Sequence, residues 1–256
     1  ATAGSSAYWS GEKSPRPISR MTFAGSTLEQ LSVIAMLVAT AELLRSSAPS
    51  AETLLSRDLA NAAVQAMDAA FLDNANSGVP GVMPASITNG VTAIHSSGLT
   101  LAAIDADLAL LIQALDAAGS NLQFATFVMR PRTALYLSQL RGSGGALAFP
   151  QMGVKGGVAA GLPVIVSSAS PSSVGSPQEG GEITLLDPSQ ILIADDGGGA
   201  LELSTRTTLS MSDAPTAPST QVSMFQTFSG ALKTTRFCNW QRCRAGMAQV
   251  LDRVDY

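Results

Sequence analysis

The chain has 256 residues, enough to bury a substantial core in one large domain or two smaller ones without disulfides. Its formal net charge is −4 and it contains no cluster of Lys and Arg, which excludes tight, sequence-independent binding to nucleic acid. Its longest apolar run, residues 31–39, is too short to span a bilayer and no basic-then-apolar signal precedes it, so we expect a soluble protein made in a cytoplasm.

Charged residues make up only 13 % of the chain, about half the usual share. A surface with so few charges is easily desolvated against copies of itself, which predicts self-association. An alanine-rich coding bias would give the same composition, and both explanations stand at this point. The two cysteines, Cys238 and Cys243, are spaced too widely for a CxxC redox or zinc pair, so we expect them to be reduced and structural.

The segment AYWSGEKSPRPISRMTF, residues 7–23, has no helical or strand period long enough to bury one face. Aromatic and Arg side chains suit the centre of an interface, while Pro and Gly set an extended path. The pattern predicts an arm that lies on another molecule. A frayed terminus is the alternative interpretation.

The next elements are a strand and a long helix. Residues 26–48 begin as an apolar strand through Val38 and turn helical at TAELLRSS. Ser50 is a suitable N-cap for a helix from Ala51 to about Asn74. A dense set of turn residues ends that helix. Its predicted buried stripe consists of Leu55, Leu59, Ala62, Ala66 and Ala70, widened by Val64, Met67 and Phe71.

The second half mixes helices with strands and predicts an α+β protein. A helix is expected from about Thr100 to Ala118, and another begins at Pro131. The first of these has one apolar face, formed by Ile104, Leu108, Leu111 and Leu115. Strands are expected at residues 122–129, 162–168, 182–187, 191–196, 200–211, 231–241 and 246–251, with a short helical piece at 219–228.

No motif for catalysis or for cofactor binding is present in the sequence. His95 is the sole histidine and reads as a loop residue. The stretch ADDGGGA could offer Asp195 and Asp196 to a hard cation, but it lacks the further carboxylates that calcium requires, and a turn between strands explains it better. We therefore predict no catalytic residue, no cofactor and no metal site.

The order of these pieces resembles the major capsid proteins of tailed bacteriophages, the family with the Hong Kong 97-type fold. YWSGEKSPRPISRMTF is similar to the second half of that family's extended loop, and LEQLSVIAMLVATAELLRSS to the strand before its spine helix. The spine helix and its turn resemble AETLLSRDLANAAVQAMDAAFLDNANSGVPGV. Later matches are FVMRPRTALYLSQLR, GLPVIVSS and VSMFQTFSGALKTTRFCNWQRCRAGMAQVL. No single piece is specific, but six in the same order are.

The resemblance implies a capsid fold with peripheral and axial domains. The implied division is a remnant of the extended loop at 1–24, a peripheral domain at 25–99 with its spine helix at about 51–74, an axial domain at 100–210, and a closing segment at 211–256 that returns to the peripheral domain. The loop would lie over a neighbouring subunit. The inter-subunit contacts expected from it are Tyr8, Trp9, Glu12, Lys13, Arg16 and Arg20.

The function implied is that of a non-enzymatic major capsid (head) protein of a tailed phage or prophage. Its copies would assemble as pentamers and hexamers into an icosahedral shell, enclosing double-stranded DNA without sequence-specific binding. Scaffolding, portal and protease proteins are further candidate partners, and no membrane is involved. The protein would reside in the virion after assembly in the cytoplasm of the bacterial host.

Two departures from the family pattern limit what carries over. Some members cross-link neighbours through a Lys and an Asn with a nearby Glu, but this chain has Arg16 and Phe228 at about those positions and no Asp or Glu in residues 228–244. We expect no covalent cross-linking. The family's N-terminal arm and the first strand of its extended loop also have no counterpart, which predicts a processed or truncated product.

Two other functions compete with this interpretation. An encapsulin shares the fold and forms a bacterial compartment around cargo enzymes, and the genes beside this one would separate it from a phage. A small-molecule hydrolase or binding protein is the more distant alternative, and it would require clustered carboxylates in a deep pocket.

Overall fold

The computed structural model describes residue 9 and residues 27–42, 50–173, 180–210 and 221–256. Helix α1 covers Ser50–Leu72, α2 Leu101–Ala117 and α3 Pro131–Gln139. Thr100 caps α2, because its hydroxyl accepts a hydrogen bond from the Ala103 N–H at 3.3 Å. Pro131 occupies the first turn of α3, where its missing N–H leaves no helical bond unmade. The described part of the chain contains no helix long and apolar enough to cross a membrane.

The larger sheet has eight strands in the order β2-β14-β8-β3-β6-β5-β4, with β7 paired to one end of β8. Strand β3 runs parallel to β6, and β2 runs parallel to β14, while the other pairs are antiparallel. The bounds are β2 Ile94–His95, β3 Thr126–Met129, β4 Met152–Gly153, β5 Gly156–Ala159, β6 Leu162–Val166, β7 Ser172–Ser173, β8 Gly180–Leu186 and β14 Ala248–Val254.

The smaller sheet is built around the 14-residue strand β13, which spans Ser229–Arg242. Its first half pairs on one side with β1 and on the other with β10, and its second half pairs with β9. The bounds of these strands are β1 Ser32–Thr40, β9 Ile191–Asp195 and β10 Ala200–Ser204. A separate hairpin joins β11 Thr208–Ser210 to β12 Gln221–Ser223.

The main hydrophobic core lies between α2, α3 and the eight-stranded sheet. The apolar face predicted for α2 is confirmed, since all four of its residues are at most 1 % exposed. They pack against fully buried Phe127, Ile183 and Leu185 from the sheet. A second, smaller core joins the end of α1 to the opposite face of that sheet. It contains Leu72, Ile87, Val128, Leu186, Trp240, Met247 and Ala248.

Most predicted elements are found, but several details of the sequence analysis are wrong. The buried stripe of α1 is Leu59, Ala63 and Met67, which follow one another in steps of four residues along the face that meets β1 and β13. The predicted Ala62, Val64 and Ala66 are exposed. Of the helical piece expected at 219–228, residues 221–228 are described and form β12 followed by turns, since pairing with β11 fixes residues 221–223. Residues 122–124 form a 3-10 turn, and the predicted strand begins only at Thr126.

The stretch around Asp195 and Asp196 joins two strands, though not as a hairpin. Strands β9 and β10 both run antiparallel to β13 along the same edge, so residues 196–199 interrupt one long strand. His95 lies in the two-residue strand β2 and not in a loop. The α+β class predicted from the sequence is confirmed.

Candidate assembly surfaces

The six contact residues predicted from the sequence are only partly described. Tyr8, Glu12, Lys13, Arg16 and Arg20 lie outside the described residues, and Trp9 is described as fully exposed. The structure therefore says nothing about where five of these six side chains lie. The surfaces that it does describe lie on the four-stranded sheet and on the loop after α1.

Among the described residues, no helix packs on one face of the four-stranded sheet. Helix α1 covers the face that carries Leu37, Leu232 and Thr234. Side chains on β1 alternate between the two faces, so the opposite face, here called the outer face, receives Ile34 and Met36. These two side chains are 55 % and 53 % exposed. A sheet face that displays large apolar side chains to solvent is suited to contact with another molecule.

The side chains directly opposite Ile34 and Met36 on the outer face are polar. Directly opposite Ile34 and Met36 on β13 stand Thr235 and Lys233, and the Lys233 ammonium forms an ion pair with Glu202 of β10 at 2.8 Å. Phe237 extends the apolar part towards the start of β1. An apolar centre beside a partly exposed ion pair is the composition of a protein interface.

Strand β10 adds a second apolar strip on the other face of the same sheet. Leu201 and Leu203 are in register with Thr234 and Leu232, so they point to the side of the sheet where α1 lies. The helix packs on β1 and β13, and both leucines remain about half exposed. The four-stranded sheet thus displays apolar side chains on both faces.

The loop after α1, here called the tip loop, is the third exposed apolar feature and spans residues 77–84. Val79, Val82 and Met83 are all exposed on it. Two backbone hydrogen bonds between Val79 and Met83, of 2.8 and 2.9 Å, hold its turn closed. Gly78 has a φ of +76°, and a Cβ there would meet the Ala85 nitrogen at 2.7 Å, so this position requires glycine.

The base of the tip loop is fixed to the end of α1. The Asn76 amide donates to the carbonyl of Ala70 at 2.8 Å and to that of Pro84 at 3.1 Å. A groove of about 610 Å³ separates the loop from residues 27–31 and 239–245. Hydrogen bonds from Asn76 thus fix both ends of the tip loop. Its exposed valines therefore have a defined position in the isolated subunit.

The described residues give partners to the titratable side chains that the sequence analysis singled out. No group of three or more His, Cys, Asp and Glu side chains among them could hold a metal ion. His95 Nδ1 lies 2.5 Å from a carboxylate oxygen of Asp252, so the imidazole has a hydrogen-bonding partner within the chain. Asp195 is paired with Arg236, and the hydrogen bonds from that guanidinium hold the pKa of the Asp195 carboxyl below its usual range. The groove beside the tip loop is lined by a single carboxylate, Glu29.

The position implied for an inter-subunit cross-link carries a side chain that cannot form one. Phe228 is half exposed and has a φ of +49°, which is uncommon for a residue other than glycine. Its ring offers no carboxamide to an attacking lysine. Cys238 and Cys243 are both free thiols.

The outer face and the tip loop were missed in the sequence analysis. A signal for the outer face existed: SVIAMLVAT is apolar at nearly every position, where a strand with one solvated face alternates. Such a strand is either buried on both faces within its own chain or becomes buried on the second face by contact with another molecule. The tip loop carried a weaker signal, since three large apolar residues occur within five positions of a turn.

Comparison with known proteins places the chain among capsid proteins. The model of the phage capsid family matches residues 1–233. A capsid polyprotein of Pseudomonas phage PAJU2 is 37 % identical over 259 aligned residues, which cover all of this chain and 38 % of that protein. The major capsid protein of Klebsiella oxytoca phage phiKO2 is 26 % identical over 78 % of this chain and 47 % of its own length. The chain thus spans less than half the length of these two relatives.

Solved structures agree on the fold. A chain of Gordonia phage Cozz matches with a TM-score of 0.70 and 18 % identity, over 96 % of this chain and 77 % of its own. The capsid of a native GTA particle computed with C5 symmetry matches with a TM-score of 0.64 and 18 % identity, over 97 % and 81 %. These likenesses confirm the capsid fold of the Hong Kong 97 type that the order of sequence pieces implied. Together with the match along its whole length, they show that the chain belongs to the phage capsid family.

Proposed function

We propose that this chain is the major capsid protein of a tailed phage or prophage, and that its copies form an icosahedral shell around double-stranded DNA. The observation that carries the proposal is the outer face of the four-stranded sheet, where Ile34 and Met36 are exposed on a chain of the capsid family. A subunit that is completed by its neighbours leaves such side chains uncovered in isolation.

The contacts would be non-covalent and individually weak. Each buried apolar side chain contributes roughly 1.5–3 kcal/mol, and a shell repeats every contact many times. Arg16, Phe228 and the acid-free segment 228–244 support assembly without covalent cross-links. The formal net charge of −4 disfavours tight electrostatic binding to DNA phosphates, which suits a subunit that encloses DNA without binding it strongly. We assign no enzymatic activity to it.

The remaining parts of the proposal come from the resemblance. Residues 1–24 would form the remnant of the extended loop, 25–99 the peripheral domain, 100–210 the axial domain around the five-fold and six-fold axes, and 211–256 the closing segment. Scaffolding, portal and protease proteins are proposed partners. The virion is the proposed location, following assembly in the host cytoplasm. The named relatives are phage capsid proteins, which favours a phage over an encapsulin.

The first test is negative-stain microscopy of the complete gene product, expressed alone and together with its neighbouring genes. Closed shells or rings of capsomers are expected in at least one of the two samples. Uniform monomers in both would contradict the proposal. Particles that contain DNA after induction of the host support a phage head, whereas particles that contain an enzyme would make the chain an encapsulin.

A second test addresses residues 7–23. Replacing Trp9 and Arg16 together with Ala is expected to reduce assembly at least tenfold while the isolated subunit stays folded, since both side chains are proposed to contact a neighbour. Sedimentation velocity measures the first effect and circular dichroism the second. Loss of the folded subunit would show that the segment belongs to the subunit's own core instead.

A further inference from the structure

Glu182 is a buried carboxylate in the middle of the eight-stranded sheet. It is only 5 % exposed and lies on strand β8, where its N–H donates to the Pro171 carbonyl on one side and β14 forms a bulge on the other. Side chains alternate along the strand, so Glu182, Thr184 and Leu186 point to one face, while Ile183 and Leu185 point into the main core. The face with Glu182 meets the end of helix α1.

The hydrogen bonds of this carboxylate are incomplete. Its Oε1 accepts one long bond of 3.5 Å from the side-chain amide of Asn74, just beyond the end of α1. Its Oε2 is buried, and no described protein atom donates a hydrogen bond to it. The hydroxyl of Thr184, on the same face, is also without a protein partner among the described residues. A buried carboxylate normally accepts several hydrogen bonds, so this one is poorly accommodated in its charged form.

The charges around Glu182 are mainly negative. Asp73 approaches from the end of α1, and Asp252 from a bulge in β14, where it is paired with His95 of β2. Two arginines lie close to this part of strand β8, but neither is paired with Glu182. Arg130 donates to the carbonyls of Ser168 and Ser170, and Arg253 is exposed at the same bulge. Within the described residues no cation forms an ion pair with Glu182.

The contrast with Asp187, just after the same strand, is informative. Asp187 is fully buried, yet the hydroxyls of Ser120 and Ser189 and the Ser189 N–H all donate to it. Although burial raises the pKa of the Asp187 carboxyl, these hydrogen bonds outweigh it and leave that pKa below its usual value. The fold can stabilise a buried carboxylate as an anion, and at Glu182 it does not.

Glu182 occupies a joint between two parts of the fold. The hydroxyls of Ser86 and Thr88 donate to the carbonyls of Phe71 and Leu72, so the last turn of α1 is tied to the loop that follows it. The second core then fastens this unit to the sheet through Leu72, Ile87, Val128 and Leu186. Asn74 and Glu182 are the polar contact at the edge of that apolar joint.

We propose that Glu182 is a proton-controlled latch between helix α1 and the eight-stranded sheet. With a proton on its carboxyl, the end of α1 is held against the sheet. When the carboxyl ionises, a third negative charge is placed beside Asp73 and Asp252 in a buried site. The single hydrogen bond from Asn74 favours the anion, but the repulsion and the cost of burying the charge outweigh it, and the joint loosens as water enters. The latch is a property of the folded subunit, so its tests do not depend on the assembly of a shell.

The pH at which the latch acts follows from the environment of the carboxyl. Burial, followed by the charges of Asp252 and Asp73, raises the pKa of Glu182 from 4.5 to about 7. A carboxyl whose pKa is higher in the folded state stabilises the fold fully below pH 4.5, and this contribution is lost as the pH rises to about 7. The joint is therefore expected to be tight in mild acid and looser above neutral pH.

The first experiment compares the Glu182→Gln variant with the wild-type protein by urea denaturation between pH 4.5 and pH 8. Gln keeps the shape and stays neutral, so the ratio of the two unfolding equilibrium constants should change on the order of 100-fold across this range. Glu29→Gln removes an exposed carboxylate elsewhere and is the matched control, expected to follow the wild type. Parallel pH profiles for the wild type and Glu182→Gln would overturn the proposal.

The second experiment observes the carboxyl directly by carbon-detected NMR. The midpoint for Glu182 is expected near pH 7, and Asp73→Asn should move it to lower pH because one neighbouring charge is removed. Hydrogen exchange of the Asn74 side-chain amide, which donates across the joint to Glu182 at 3.5 Å, should accelerate above that midpoint more than the same amide does in Asp73→Asn. A Glu182 midpoint below pH 5.5, or exchange at the Asn74 amide that ignores the midpoint, would refute the latch.

Discussion

The two sheets of this subunit treat their apolar side chains in opposite ways. The eight-stranded sheet buries Phe127, Ile183 and Leu185 completely beneath α2, and its core is closed within one chain. The four-stranded sheet is covered by α1 on part of one face and leaves Ile34, Met36, Leu201 and Leu203 exposed. The eight-stranded sheet has a complete hydrophobic core within one chain. The four-stranded sheet, under the proposed function, is completed by contact with another copy of the chain.

The largest effect should come from one substitution made in both regions. Leu111→Ala in α2 removes a side chain with no exposed surface and should cost about 3–4 kcal/mol of unfolding free energy, from lost burial and the cavity left behind. Leu203→Ala in β10, where the leucine is 53 % exposed, should cost under about 1 kcal/mol. Urea denaturation of the isolated subunit measures both. Equal losses would mean that Leu203 is part of a closed core and that the comparison fails.

The next effect concerns assembly. Replacing Ile34 and Met36 together with Thr keeps the β-propensity of strand β1 but makes the outer face polar. The stability of the subunit should change by less than about 1 kcal/mol, because both side chains are already half exposed. The yield of shells, counted by negative-stain microscopy, should fall at least tenfold.

A control for that experiment is Ser32→Thr, which changes a polar residue on the same face of β1. It should leave the yield of shells unchanged. If the double variant assembles as well as this control, the outer face is not an assembly surface.

The smallest effect should come from the ion pair on the outer face. The side chains of Lys233 and Glu202 are 35 % and 63 % exposed, so their coupling should be below about 1 kcal/mol and should fade with added salt. A double-mutant cycle with Lys233→Gln and Glu202→Gln measures it in the isolated subunit at low and high salt. A larger coupling that resists salt would show that this part of the sheet is already shielded from water.

The sequence predicts the closed region better than the open one, for a physical reason. Ile104, Leu108, Leu111 and Leu115 follow the helical period closely because one face of α2 is buried against one sheet. The stripe of α1 was placed wrongly at Ala62 and Ala66, since alanine is compatible with either side of a helix and marks no face. Local patterns identify a face only where its burial is strong.

The open region could not be deduced because it depends on contacts far apart in the chain. The exposure of Ile34 and Met36 follows from which face of β1 receives α1, and the apolar run of that strand does not decide this. The segment 219–228 has a helical pattern, but pairing between residues 208–210 and 221–223 outweighs it. Family resemblance supplied the fold where local pattern did not.

Strand β13 connects two distant parts of the subunit. Its 14 residues span roughly 45 Å at about 3.3 Å each. One end carries the outer face. At the other, Trp240 donates to the Ala85 carbonyl at 2.8 Å and packs its ring edge-on against Phe71, with centroids 5.3 Å apart. The outer face and the second core therefore lie on one continuous strand, so the distance between them is set by the backbone of β13.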